Sequence, residues 1–193
     1  IIEEAPSAFV DEITRNKITT AAIQAAKACG YYNAGTIEFL MDSDKDFYFL
    51  EMNTRVQVEH PVTELISGID LVKEQISIAA GNKISFEQNE ITINGYALEC
   101  RIYAEDPENN FLPSTGKILH YKEPNGIGVR VDSGFAVDSE ISIHYDPMIA
   151  KLICWDRDRN KAIQRMKRAL NEFQIAGITT NMKFLNYILN TDE

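Results

Sequence analysis

Cysteine is scarce in this sequence, with three residues (Cys29, Cys100 and Cys154) in 193. They are odd in number, far apart and show no C-x-x-C spacing, which argues against a disulfide framework or a zinc site and favours a reducing compartment. No apolar run is long enough to span a bilayer and no secretory signal pattern opens the chain, so no membrane is expected as a partner. Basic excess is also lacking: 29 Asp and Glu against 19 Lys and Arg give a formal net charge of -10. Phosphate backbones are held by clustered Lys and Arg, so nucleic acid is not an expected partner. There is no Gly-rich phosphate loop, neither G-x-G-x-x-G nor a P-loop. No internal repeat or low-complexity segment is found. The first residue is Ile1 rather than Met, and the chain is expected to be a piece of a longer polypeptide.

What is present is enough apolar material, 45% of residues, to bury a core without staples. Residues 9–29 carry Ile13, Ala21, Ala25 and Cys29 at helical spacing, with Gly30 as a stop. Two runs rich in Phe, Tyr, Ile and Leu, Thr36–Met41 and Asp46–Asn53, predict a β-hairpin. Alternation continues as an extended segment through Arg55–Glu59 to Pro61. A helix is expected from Leu71 to Ala80, with Asp70 as N-cap and Gly81 as C-terminal cap. The texture then changes. Ile91–Ala104, Gly116–Tyr121, Gly128–Val131 and Met148–Trp155 read as strands between Pro and Gly turns. Two helices close the chain, one with Ala162, Ile163, Met166, Ala169, Leu170 and Phe173 on a stripe. The other carries Phe184, Leu185, Ile188 and Leu189, with Thr180 as N-cap. The expected domain boundary lies near residue 83.

The hairpin carries the first chemical signal. With Asp42–Lys45 as the loop, paired residues place Glu38 opposite Phe49, and Phe49 and Glu51 on one face. Glu38 and Glu51 are then diagonal neighbours, roughly 7–8 Å apart at the backbone. Asn53 continues that face. Two carboxylates and an amide oxygen suit a hard cation such as Mg²⁺, which takes one or two carboxylates and fills its remaining sites with phosphate oxygens and water. A solvated acidic strand face is the competing reading. Against it, the other face (Ile37, Phe39, Tyr48, Leu50, Met52) is apolar enough to anchor a sheet, and polar residues keep alternating as Arg55, Gln57 and Glu59. A one-residue slip in register would separate the carboxylates.

The run Glu51-Met52-Asn53-Thr54-Arg55-Val56-Gln57-Val58-Glu59-His60-Pro61-Val62-Thr63-Glu64 resembles the motif of the biotin carboxylases, a branch of the ATP-grasp enzymes. The resemblance continues in Glu99-Cys100-Arg101-Ile102, Ala104-Glu105-Asp106-Pro107, Phe111-Leu112-Pro113-Ser114, Tyr145-Asp146, Met148-Ile149, Lys151-Leu152, Gly177-Ile178 and Thr180-Asn181. It covers essentially the whole chain.

The resemblance implies an α+β architecture: residues 1–83 as the C-terminal part of an ATP-grasp domain, and 84–193 as a biotin carboxylase C-terminal domain, a mostly antiparallel sheet with helices. It implies ATP-dependent carboxylation of biotin by bicarbonate through carboxyphosphate, with Mg²⁺ or Mn²⁺. The metal ligands would be Glu38, Glu51 and Asn53. Leu40 would contact adenine, and Glu38 and Glu51 would serve ATP. Arg55, Gln57 and the backbone N–H of Val58 would contact bicarbonate, with Arg55 also catalytic. Glu59 would be the general base, and Arg101 would bind bicarbonate and stabilise negative charge on biotin. These residue types suit the chemistry. An Arg fork can hold two oxygens of planar bicarbonate, a base must take its proton before attack on the γ-phosphate, and a fixed cation favours an enolate-like biotin anion. Arg101 is expected near Glu38, Glu51 and Asn53.

A strand Arg such as Arg101 could otherwise be a surface ion-pair residue, and Arg55 could be bridged to Glu59. His60 and Lys151 read as structural, while Asp146 fits either a turn or a pocket lining. The lid and lysines of an ATP-grasp site would lie upstream of Ile1, so this chain alone is expected not to turn over ATP. Expected partners are a biotin carboxyl carrier domain or protein, a carboxyltransferase component, and a second copy through the strand around Ile127 and Arg130. The expected location is cytoplasmic, or the mitochondrial matrix in a eukaryote. The alternatives are an ATP-grasp ligase of the carbamoyl-phosphate synthetase type and a non-catalytic dimerisation module.

Overall fold

The first strand, β1 (Ile2–Ala5), pairs with a strand that lies far downstream in sequence. The computed structural model describes residues 1–191, and the chain divides into two compact units. One is Pro6–Ile93. The other joins Ile1–Ala5 to the chain from Asn94 onward. The second unit is discontinuous in sequence, because β1 is hydrogen-bonded into the downstream sheet.

The unit Pro6–Ile93 contains α1 (Glu12–Ala28), the hairpin β2 (Thr36–Met41) and β3 (Phe47–Asn53), then α2 (His60–Ser67) and α3 (Leu71–Ala79). Asp11 starts α1, its carboxylate accepting from Thr14 N at 2.8 Å. Asp70 starts α3 in the same way through Lys73 N at 2.8 Å, as its side-chain chemistry predicts. The apolar stripe expected on α1 is not buried within this chain, and Ile13 and Ile23 are exposed. Arg55–Glu59 is not the extended segment that its alternation suggests. It is a turn, followed by α2, with Pro61 in the first helical turn and Val62 and Ile66 buried one turn apart. Pro lacks a donor that the first turn does not need, and Gly68 (φ +73°) closes the helix in the left-handed region.

The second unit is built on β4 (Tyr96–Tyr103). Three short strand pairs follow: β5 (Glu105–Asp106) with β6 (Leu112–Pro113), β7 (Gly116–Lys117) with β10 (Glu140–Ile141), and β8 (His120–Lys122) with β12 (Gln174–Ala176). Strands β9 (Val129–Ser133) and β11 (Met148–Asp156) complete an antiparallel sheet of order β1-β4-β11-β9. Helices α4 (Arg159–Glu172) and α5 (Met182–Leu189) close the chain. Tyr96, Leu98, Cys100 and Ile102 alternate along β4 and share a core with Leu152 and Cys154 of β11, Ala162, Met166, Ala169 and Leu170 of α4, and Leu185 of α5. Burial pushes the Cys100 thiol well up and that of Cys154 to about 12. All three cysteines are free thiols.

Two expected boundaries move. The strand starts at Tyr96 rather than Ile91, because Gly95 turns the chain at φ +72° with the Asp156 carbonyl 2.5 Å from where a Cβ would sit. The N-cap of α5 is Asn181 rather than Thr180, and its side chain does not cap the helix. No helix among the described residues is long and apolar enough to cross a membrane.

Candidate functional site

The hairpin register differs from the expected one and strengthens the carboxylate pair. Thr36 faces Asn53, Ile37 faces Met52 and Glu38 faces Glu51; beyond that point Phe39 pairs with Phe49, leaving Leu50 as an extra residue in β3. This β-bulge makes the two glutamates direct cross-strand neighbours rather than diagonal ones. It also moves Phe49 away from the glutamate face. Phe49 and Phe47 instead pack edge-on against Phe39, at 6.4 and 5.4 Å between ring centroids. The loop spans Asp42–Asp46, with the Asp42 carboxylate accepting from Asp44 N and Asp46 N. Lys45 ties the loop to Asp11 at 2.5 Å.

Like charges set opposite each other cost energy unless something polar or cationic joins them. Here Asn53 Nδ2 donates to Glu38 Oε1 and to Glu51 Oε1, both at 2.9 Å. Gln57 Nε2 donates to the same Glu38 oxygen at 2.5 Å. Two carboxylate oxygens thus converge on one amide, and the side-chain set Glu38, Glu51, Asn53 and Gln57 is held together. The donor set is all oxygen once the Asn53 amide is turned, which fits a hard divalent cation. Among the described residues no cluster of three or more His, Cys, Asp or Glu could hold a metal. A cation here would depend on phosphate oxygens and water for its remaining ligands, as Mg²⁺ on a nucleotide does. Replacing Glu51 by Gln is expected to weaken Mg·ADP binding by the complete protein about tenfold, read by calorimetric titration. Unchanged affinity would remove Glu51 from the cation site.

The segment after Asn53 turns, and Gln57 reaches back to the hairpin. Its side chain reaches Glu38, while its carbonyl accepts from the His60 ring Nδ1 at 2.7 Å. His60 Nε2 also lies 4.0 Å from Glu64, so both ring nitrogens face groups of the turn and of α2. Arg55 is exposed and donates to the Val56 carbonyl at 3.2 Å. Val58 and Glu59 lie in the same turn, with Glu59 as the N-cap residue of α2. Leu40 is exposed on β2.

Arg101 belongs to the other compact unit, on β4. Its Nη2 lies 3.0 Å from Glu3 Oε1. Across the sheet it faces Lys151, which in turn faces Asp132. Lys151 contacts Asp132 at 3.4 Å, and Arg130 holds the same carboxylate through two bonds of 2.7 and 2.8 Å. Burial alone would raise the Asp132 pKa, but Arg130 and Lys151 outweigh it and lower it. Asp146 makes a turn by accepting from Met148 N at 2.8 Å.

Asn181 is the residue that sequence reasoning left without a role. It is almost fully buried, and its amide donates to the Arg101 carbonyl and accepts from Tyr103 N, both at 3.0 Å. Its backbone N–H donates to the Tyr103 carbonyl at 3.1 Å. β1 and Asn181 thus share this edge of β4: the Ile1 carbonyl takes the Arg101 N–H, and Asn181 bonds the Arg101 carbonyl and Tyr103. The Gly177-Ile178-x-Thr180-Asn181 motif was the available signal.

Two family models match the chain: carbamoyl-phosphate synthase L chain, ATP binding domain, over residues 1–87, and biotin carboxylase C-terminal domain, over residues 99–193. A pyruvate carboxylase component of Methanothermobacter thermautotrophicus is 54% identical over all of this chain and 39% of its own length. The mitochondrial propionyl-CoA carboxylase alpha chain of Homo sapiens is 53% identical over 98% of this chain and 26% of its own. The biotin carboxylase domain dimer of Hydrogenobacter thermophilus 2-oxoglutarate carboxylase, solved with MgADP, ADP and bicarbonate, superposes with a TM-score of 0.97 at 45% identity. It is matched over 100% of this chain and 42% of that one. The chain thus spans less than half the length of these relatives.

Proposed function

This chain belongs to the biotin carboxylases of the ATP-grasp superfamily, and on that premise we propose that it serves the carboxylation of biotin by bicarbonate and ATP in the complete protein. The observation that carries the reading is the bulged hairpin, which brings Glu38, Glu51 and Asn53 together as an oxygen donor set next to the motif turn. Support for the ligands comes from the relative solved with MgADP and bicarbonate.

Glu38, Glu51 and Asn53 would hold Mg²⁺, which when bound neutralises phosphate charge. Leu40 offers an exposed apolar contact for adenine. Arg55, Gln57 and the Val58 N–H would orient bicarbonate, with the planar guanidinium spanning two of its oxygens. Glu59 would take the bicarbonate proton, freeing an oxygen to attack the γ-phosphorus as the bond to ADP breaks. Arg101 would hold negative charge on bicarbonate and on the deprotonated ureido nitrogen of biotin. The compartment would be reducing, cytoplasm or mitochondrial matrix. Partners would be a biotinylated carrier, a carboxyltransferase component and a second copy. For the second copy the exposed Ile127, next to β9, is the candidate contact, and a monomer in sedimentation of the complete protein at high concentration would remove it.

The test is phosphate release by the complete protein with bicarbonate, with and without free biotin. Stimulation by biotin supports the reading. ATP cleavage indifferent to biotin would place the protein among other ATP-grasp ligases.

A further inference from the structure

Arg101 does not stand alone on its sheet face. The β1–β4 register sets Glu3 opposite Glu99, two carboxylates face to face across neighbouring strands. Such a pair is unfavourable without a cation beside it. Arg101 lies two residues beyond Glu99 on the same face, and its backbone N–H is fastened to the Ile1 carbonyl at 3.0 Å. Its Nη2 is 3.0 Å from Glu3 Oε1, with the side chains 23% and 30% exposed. On the other flank stands Lys151, directly opposite Arg101 on β11 and drawn toward Asp132.

The guanidinium is therefore set between a carboxylate on β1 and a like charge on β11. Attraction on one side and repulsion on the other both bias it toward β1. Arginine has a long flexible stem, and a guanidinium already oriented by a neighbouring carboxylate gives up less freedom when a substrate anion engages it. We propose that Glu3 is a positioning residue, fixing the orientation in which Arg101 meets the bicarbonate and biotin anions. This rests on the biotin carboxylase reading above. Nothing in the chain's motif run near Glu51 points to Glu3, which sits in the first strand and reaches Arg101 only through the register.

The experiment compares Glu3→Gln, Glu3→Asp, Arg101→Ala and the Glu3→Gln/Arg101→Ala double variant in the complete protein. The assay is bicarbonate-dependent ATP cleavage at varied free biotin. Glu3→Gln keeps an acceptor of similar shape but removes the charge. The expected result is a rise of about tenfold in KM for biotin, with KM for ATP unchanged and partial recovery in Glu3→Asp. In the Arg101→Ala background, Glu3→Gln should add nothing, because a positioning residue has no effect once its target is gone. Unchanged biotin KM in Glu3→Gln would overturn the proposal. So would a lower KM, which would make Glu3 a competitor of the substrate anion, or a fall in Vmax with both KM values unchanged, which would mean a loss of folded protein. If Arg101→Ala itself leaves biotin stimulation intact, the functional reading fails first, and that outcome is distinct from an effect of Arg101 without one of Glu3.

Discussion

Arg101→Ala in the complete protein is expected to lower biotin-stimulated ATP cleavage by about two to three orders of magnitude, the usual cost of removing one fixed charge or donor aimed at a developing anion. The side chain is three-quarters shielded and oriented by Glu3, so water cannot substitute for it as a pre-arranged cation. Cleavage of ATP without biotin should fall less. Steady-state rates at saturating ATP with biotin present and absent separate the two effects. Arg101→Lys should recover little, since an ammonium cannot span two oxygens of a planar anion. A variant as active as the wild type would leave Arg101 as an ion-pair residue of β4 and would confine the chemistry to the hairpin and its turn.

Asn181→Ala should be the most destabilising of the substitutions considered, by about 3 kcal/mol. The change strands the Arg101 carbonyl and the Tyr103 N–H inside the protein, two groups whose present bonds are both 3.0 Å long. Thr180→Ala serves as the contrast. If Thr180 capped α5 the loss would be about 1 kcal/mol, whereas with Asn181 at the N-cap it should stay within about 0.5 kcal/mol. Thermal unfolding by calorimetry measures both. Equal losses in the two variants would contradict the assignment of Asn181 as the residue that satisfies this edge of β4. Because Asn181 bonds to the backbone at Arg101 itself, the unstable variant should also lose activity.

The motif residues were legible in the sequence because their chemistry is local. Glu51, Asn53, Arg55, Gln57 and Glu59 follow one another in a short run, and the hairpin that brings Glu38 to them needs only two strands and a turn. The relationship of Glu38 to Glu51 was close but not right, because one extra residue at Leu50 changes the register and no side-chain pattern marks it. The same period-two alternation that identified β3 misled beyond Asn53. Val56 and Val58 alternate with polar residues as a strand would, yet the Gln57 side chain is worth more on Glu38 than on an edge, and Pro61 opens a helix. Helices α1 and α4 were recognisable from apolar residues at helical spacing, and α3 from Asp70 and Gly81 at its ends, signals that act within a few residues.

By itself, then, the sequence determined the family, the mixed α+β class and the set of oxygen and guanidinium groups proposed for the chemistry. These depend on residue type and short spacing. Tertiary structure alone decided that β1 leaves its sequence neighbours and joins the sheet of β4, β9 and β11. It also decided that Glu3 reaches Arg101 and that Asn181 finishes the edge of β4. The reason is that backbone hydrogen bonds between distant segments are the same for every residue type. Which strands pair is settled by the fit of whole elements, and only after pairing do a carboxylate at the third residue and a guanidinium at the hundred-and-first come within 3.0 Å.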